Sequence, residues 1–109
     1  MGDDTHYTYE RLRLAVENLA TGRGSLQDRL YYAFLDIHPL RIEDFPERLR
    51  NEFREISEEM TKVKPVGDEG SIKATCIVMS DDEAAKIAQR IFDLFTTIAR
   101  RYCEANPLD

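Results

Sequence analysis

The 109-residue chain predicts an all-α fold, a single antiparallel bundle of four main helices plus one short helix, and three observations carry that prediction. Helix starts recur in one notation: Ser25-Leu26-Gln27-Asp28, Asp44-Phe45-Pro46-Glu47 and Ser80-Asp81-Asp82-Glu83. Each puts a side-chain oxygen that accepts from an orphan amide three residues ahead of a carboxylate that reaches back and favours the positive end of the helix dipole. An apolar stripe at steps of three and four follows each start, which is one helical face. The only strand-like run, Thr75-Cys76-Ile77-Val78, has no partner run elsewhere, so a sheet has nothing to pair with.

Residues 1–6 are polar, and they and residues 105–109 are expected to fray. A first helix is expected from about Thr8 to Thr21, with Tyr9, Leu12, Val16 and Leu19 on one side and Gly22 as a left-handed stop. The second starts at Ser25 and stops at His38, because Pro39 disfavours helical geometry in the residue before it. Leu26, Leu30, Phe34 and Ile37 form its main stripe, while Tyr31, Tyr32, Ala33 and Leu35 add apolar surface on other sides. A helix apolar most of the way round is expected to be central. The third helix is expected to open at Asp44 and to lie outermost, since Phe45, Leu49, Phe53, Ile56, Met60 and Val63 make a narrow stripe amid charge. Its pairs Arg48–Glu52, Arg54–Glu58 and Glu58–Lys62 stand four apart and add helical support. After the Pro- and Gly-bearing stretch 64–70, the range 71–79 reads as a short helix. The last helix runs from Ser80 to about Cys103 on Ala84, Ala88, Ile91, Phe95, Ile98 and Tyr102, with Ile87, Phe92, Leu94 and Ala99 widening its face.

One domain over residues 1–109 is expected from the length. Apolar residues make up 42% and charged residues 33%, which suits a small core under a large solvated surface. The net charge of −6 opposes nucleic-acid binding, whose affinity comes from neutralising phosphates. Arg48, Arg50 and Arg54 are interleaved with glutamates, so no phosphate track emerges. Neither a secretory signal nor a membrane-length apolar run is present, and the expected compartment is the cytoplasm, with no membrane association.

Chemistry is sparse. The two histidines, His6 and His38, and the two cysteines, Cys76 and Cys103, form no metal-ligand spacing, and no metal or cofactor is expected. Glu52, Glu55 and Glu59 share a helix face, but the Glu-x-x-His partners of a carboxylate-bridged metal are absent. Both thiols lie in apolar stretches and read as buried and inert. No catalytic residues are assigned, and the chain reads as a non-enzyme. The Thr21-Gly22-Arg23-Gly24 turn between two helices has the outline of a helix-turn-helix, which makes a nucleic-acid-associated regulator the alternative, and an enzyme of a type without recognisable motifs comes third. By elimination the expected function is a small interaction or accessory protein that binds itself or another protein. Tyr31, Tyr32, Phe92 and Leu94 are its candidate interaction residues, and a homodimer formed by the second and last helices is its expected form.

Overall fold

The computed structural model of the chain describes residues 5–106. Among these the fold is all-α: α1 (Thr5–Thr21), α2 (Leu26–Ile37), a 3-10 turn (Ile42–Asp44), α3 (Glu47–Met60), α4 (Gly70–Val78) and α5 (Asp81–Ala105). No strand occurs among the described residues, and the segment with strand propensity, 75–78, lies within α4.

Side-chain ties fix the directions. Arg29 donates to the Leu19 carbonyl at 2.8 Å, Arg11 to the Asp36 carbonyl at 2.6 Å and Thr8 to the Asp44 carbonyl at 3.2 Å, so α2 runs antiparallel to α1. His6 bonds Tyr102 at 3.1 Å and Tyr9 stacks on Tyr102 and Phe95, so α5 also runs antiparallel to α1. Glu52 of α3 meets Arg90 of α5, while Glu59 and Lys62 share a crevice with Glu83 and Ile87, which sets α3 antiparallel to α5 as well. The Gln27 amide ties the start of α2 to the start of α5 through the Met79 carbonyl and the Asp81 carboxylate. The four long helices thus alternate in direction, and α5 is the one that packs on α1, α2 and α3 together.

Two of the three capping boxes form. Ser25 Oγ accepts from the Asp28 amide at 3.1 Å and the Asp28 carboxylate accepts from the Ser25 amide at 3.2 Å. Ser80 and Glu83 repeat this at 3.1 and 2.9 Å. The expected start at Asp44 does not hold. Its carboxylate accepts from the Arg41 amide at 2.8 Å and closes the 3-10 turn instead. Pro46 forces the residue before it into extended geometry, and Phe45 at ψ 149° breaks the path from Asp44 into α3, which begins at Glu47. Val63 falls beyond the end of α3.

Other boundaries shift for local reasons. The left-handed glycine of the first turn is Gly24, at φ +93°, and not Gly22. Gly22 is required by proximity: a Cβ there would stand 2.5 Å from the Asn18 carbonyl and 2.9 Å from Arg29 Cγ. Thr5 and His6, expected to fray, belong to α1, and Ala105 belongs to α5; the remaining residues expected to fray, 1–4 and 107–109, lie outside the described residues apart from Asn106, which caps α5. On α3 the expected four-apart ion pairs give way to others: Glu52 turns to Arg90, Arg54 donates to Asn51, and Lys62 pairs with Glu59.

One hydrophobic cluster holds the bundle together. Leu12, Leu30, Phe34, Ile37, Ile56, Met60 and Ile91 are fully enclosed, and Phe45 stacks on Phe53 with ring centroids 4.5 Å apart. Thr8 and Ala15 are buried on α1, where Tyr9, Val16 and Leu19 are only half-buried. On α5 the enclosed stripe is Ala84, Ile87, Ile91, Leu94 and Ile98, rotated from the expected Ala88 and Phe95 because α5 is flanked by α1 on one side and α3 on the other. Phe95 sits at the edge of that stripe, half-buried beside Tyr9.

Candidate functional site

The face of α2 away from the core is where the bundle stays open. Leu30, Ala33, Phe34 and Ile37 point inward and are buried. Asp28, Tyr31, Leu35 and His38 recur at steps of three and four on another face, and all are exposed or half-buried. The helix expected to be buried on several sides is therefore two-sided. The cause lies in the lengths and partners of its neighbours. The nine-residue α4 covers only part of α2, while α3 packs on α5 and on α4.

Three depressions run end to end along this face. The first, of about 340 Å³, lies between α2 and α4 and is walled by Arg23, Tyr31, Tyr32, Lys73, Cys76 and Ile77. The second, of about 190 Å³, shares Tyr31 with the first and continues past Leu35 to His38 and Thr61. The third, of about 380 Å³, shares His38 and Thr61 with the second and opens between α2 and α3 over Phe34 and Phe53, with Arg41 and Arg54 on its rim. Together the α2 residues that line the three depressions reach from Gln27 to His38, and these adjoining depressions form the groove beside α2.

Aromatic and aliphatic surface is concentrated at its first end. Tyr31 and Tyr32 meet edge to face at 5.0 Å between centroids, and the Lys73 ammonium stands 5.8 Å above the Tyr31 ring. Tyr32 is 57% exposed and Ile77, across the groove on α4, is 67% exposed. Arg23, in the α1–α2 turn, makes no hydrogen bond or ion pair among the described residues. The acids nearby are already engaged: Asp28 accepts from the Ser25 amide, and Glu69 accepts from the amides of Val66 and Gly67 at 3.0 and 2.9 Å. The Glu69 backbone amide, together with those of Val66 and Gly67, holds the Glu69 carboxyl below its usual pKa, so it stays ionised.

The expected interaction residues separate. Tyr31 and Tyr32 both line the groove. Phe92 does not: it is 45% exposed on α5, where its ring meets Phe95. Phe95 continues through Tyr9 and Tyr102 to His6, an aromatic row along the seam of α1 and α5. Leu94 is a correction. It is enclosed in the core and offers no surface, because α5 directs it between its flanking helices. Leu35, Lys73 and Ile77 were not singled out from the sequence. The signal for Leu35 was legible, since Tyr31, Leu35 and His38 share helical spacing. Ile77 lies in a short segment of nearly unbroken apolar residues, where no periodicity tells inside from outside.

The thiols differ. Cys76 is buried at the groove wall, and burial pushes its thiol up to about 11. Cys103 is exposed near the end of α5, contrary to the expected burial. Among the described residues no three His, Cys, Asp or Glu side chains group closely enough to hold a metal ion, and no helix is long and apolar enough to cross a membrane. Glu52 and Glu55, which share a face as metal ligands would, both close on Arg90, at 2.6 Å each. No family model, curated protein or solved structure matches the chain.

Proposed function

We propose that this chain is a non-catalytic interaction protein that docks another protein along the open face of α2. The observation that carries the reading is the set of adjoining depressions beside α2, with Tyr32 and Ile77 exposed at the aromatic end. Exposed large apolar side chains grouped in a concave site mark contact surfaces on small proteins, and tyrosine supplies apolar area with a polar tip. The Cys76 thiol at the groove wall is pushed up to about 11 by burial, which argues against its use as a nucleophile there.

The nucleic-acid alternative draws less support from the start of α2. The donors that a recognition helix would present, Gln27 and Arg29, are committed to Met79 and Asp81 and to the Leu19 carbonyl. A homodimer is the other form of the docking reading, with Tyr32 and Ile77 facing their own copies across a two-fold axis. Sedimentation equilibrium at tens of micromolar separates the two forms: 12.6 kDa leaves the face free for a different protein, and twice that mass shows a dimer, whose use of this face the following variants test. Tyr32→Asp combined with Ile77→Asp should abolish whichever association is found while leaving the helical circular dichroism unchanged. Association untouched by both changes would refute this face as the docking surface.

A further inference from the structure

We propose that α4 is a lid that lifts from α2 and α3 as one unit while α1, α2, α3 and α5 stay folded. Local sequence gives the first argument. α4 has nine residues, below the length at which a helix stands without tertiary support. Ile72, Thr75, Ile77 and Val78 are β-branched, which lowers helix propensity and favours extended chain. Glu69 gives its first turn no side-chain cap, whereas capping boxes open α2 and α5. α4 therefore owes its shape to what it packs against, and it buries little. Only Ala74, Thr75 and Cys76 are buried, all small side chains, while the larger Ile77 and Val78 are exposed.

Ties and topology give the second. The Val63 amide donates to the Thr75 hydroxyl at 3.0 Å, and the one charged side chain of α4, Lys73, stands 5.8 Å over the Tyr31 ring. Elsewhere α1, α2 and α5 pack on one another and Arg90 clamps α3 to α5, so none of these four helices depends on α4 for its partner. Both ends of α4 can turn. The exposed stretch 64–68 precedes it, and Gly70, at φ +82°, has open space where a Cβ would stand. After it, Met79 is extended at ψ 134°, and Gln27 holds the Met79 carbonyl, which fixes the pivot at the start of α5. Lifting α4 uncovers Cys76 and carries Lys73 and Ile77 away from Tyr31 and Tyr32. The docking face proposed above therefore exists only while α4 is down, and the lid itself rests on none of the docking argument.

The test labels Cys76 with iodoacetamide in the full chain carrying Cys103→Ser, which removes the exposed thiol, and follows the adduct by mass spectrometry. The rate relative to an unstructured cysteine peptide gives the open fraction. Cys76 should label roughly tenfold or more faster than global unfolding allows, with little dependence on urea too dilute to unfold the bundle. Ile98→Ala, in the core about 25 Å along α5 from the end of α4, weakens the open and closed forms alike. It should lower the urea midpoint yet leave Cys76 labelling within about twofold of the parent. Thr75→Val removes the acceptor that holds Val63 and should speed labelling about fivefold, which reagent seeping through the groove wall would not reproduce. Labelling that tracks global unfolding at every urea concentration, or that rises with Ile98→Ala as steeply as the unfolding constant, would overturn the lid. So would labelling unmoved by Thr75→Val. Where Ile98→Ala does not fold, the urea dependence of the parent decides in its place. The docking reading fails separately, only if Tyr32→Asp and Ile77→Asp leave every association intact.

Discussion

Ile91 and Phe95 stand one turn apart on α5 and should respond differently to truncation. Ile91 is enclosed, and Ile91→Ala removes buried methyls and leaves a cavity, at a cost of about 2–5 kcal/mol. Phe95 keeps part of its ring in solvent, so Phe95→Ala should cost about 1–2 kcal/mol, below the usual range for an enclosed phenylalanine. Urea denaturation of both variants checks this, and equal losses would contradict the packing of α5. The sequence made Phe95 look central because it continued the four–three rhythm from Ile91. That rhythm defines a face but not where along its width two flanking helices meet, and Leu94, widening the face on one side, takes the enclosed position instead. The cysteines show the same limit. Cys76 and Cys103 look alike in sequence, yet a thiol reagent at pH 8 should modify Cys103 in the native protein and spare Cys76, whose thiol is pushed up to about 11. Modification of both at equal rates would contradict the burial of Cys76.

At the scale of elements, capping chemistry was legible where the chain was free to follow it. Ser25 and Ser80 begin helices as their spacing requires. Asp44 had the same spacing, but Pro46 two residues on overrode it by holding Phe45 extended, the same rule that the sequence applies before Pro39. Ser80→Ala should cost about 1 kcal/mol. Ser71→Ala, inside the first turn of α4 and making no side-chain cap, should cost less. Thermal denaturation of the pair distinguishes them, and equal losses would undo the Ser80 cap. The junction of α3 and α5 rests on the Arg90 guanidinium, which holds Glu52 through two hydrogen bonds of 2.6 and 3.1 Å and Glu55 through one of 2.6 Å. The Arg90 bond pulls the Glu52 carboxyl below 4.5. A lowered native pKa means stabilisation that is present above 4.5 and lost as pH falls through the native value. Arg90→Met should therefore cost about 0.5–1 kcal/mol at pH 7, modest because the groups are partly solvated, and progressively less as the pH is lowered below 4.5. An Arg90→Met penalty that does not change between pH 7 and pH 2.5 would show that the clamp is not ionic. Sequence reasoning assigned Glu52 to Arg48 within α3, because neighbours along a helix can be read from spacing while partners across helices cannot.

For the whole molecule, the all-α class and the succession of helices were readable because each helix carries its own start and stripe. The groove was not, because it arises from what is missing between elements: α4 is too short to cover α2, and α3 packs onto α5 and α4. Tyr31 and Tyr32 stood out in the sequence as large amphipathic residues off the main stripe. Their partners across the gap, Lys73 and Ile77, come from α4 and meet them only in the fold. The central claim is that this face meets another protein. A photo-crosslinking side chain placed at Tyr32 in cells that express the chain tests it most directly, with the same group at Lys86, exposed on α5 away from the groove, as the reference. The account predicts a discrete adduct from position 32, absent from position 86 and removed by Ile77→Asp. Adducts of equal yield from both positions, or none from position 32, would contradict it.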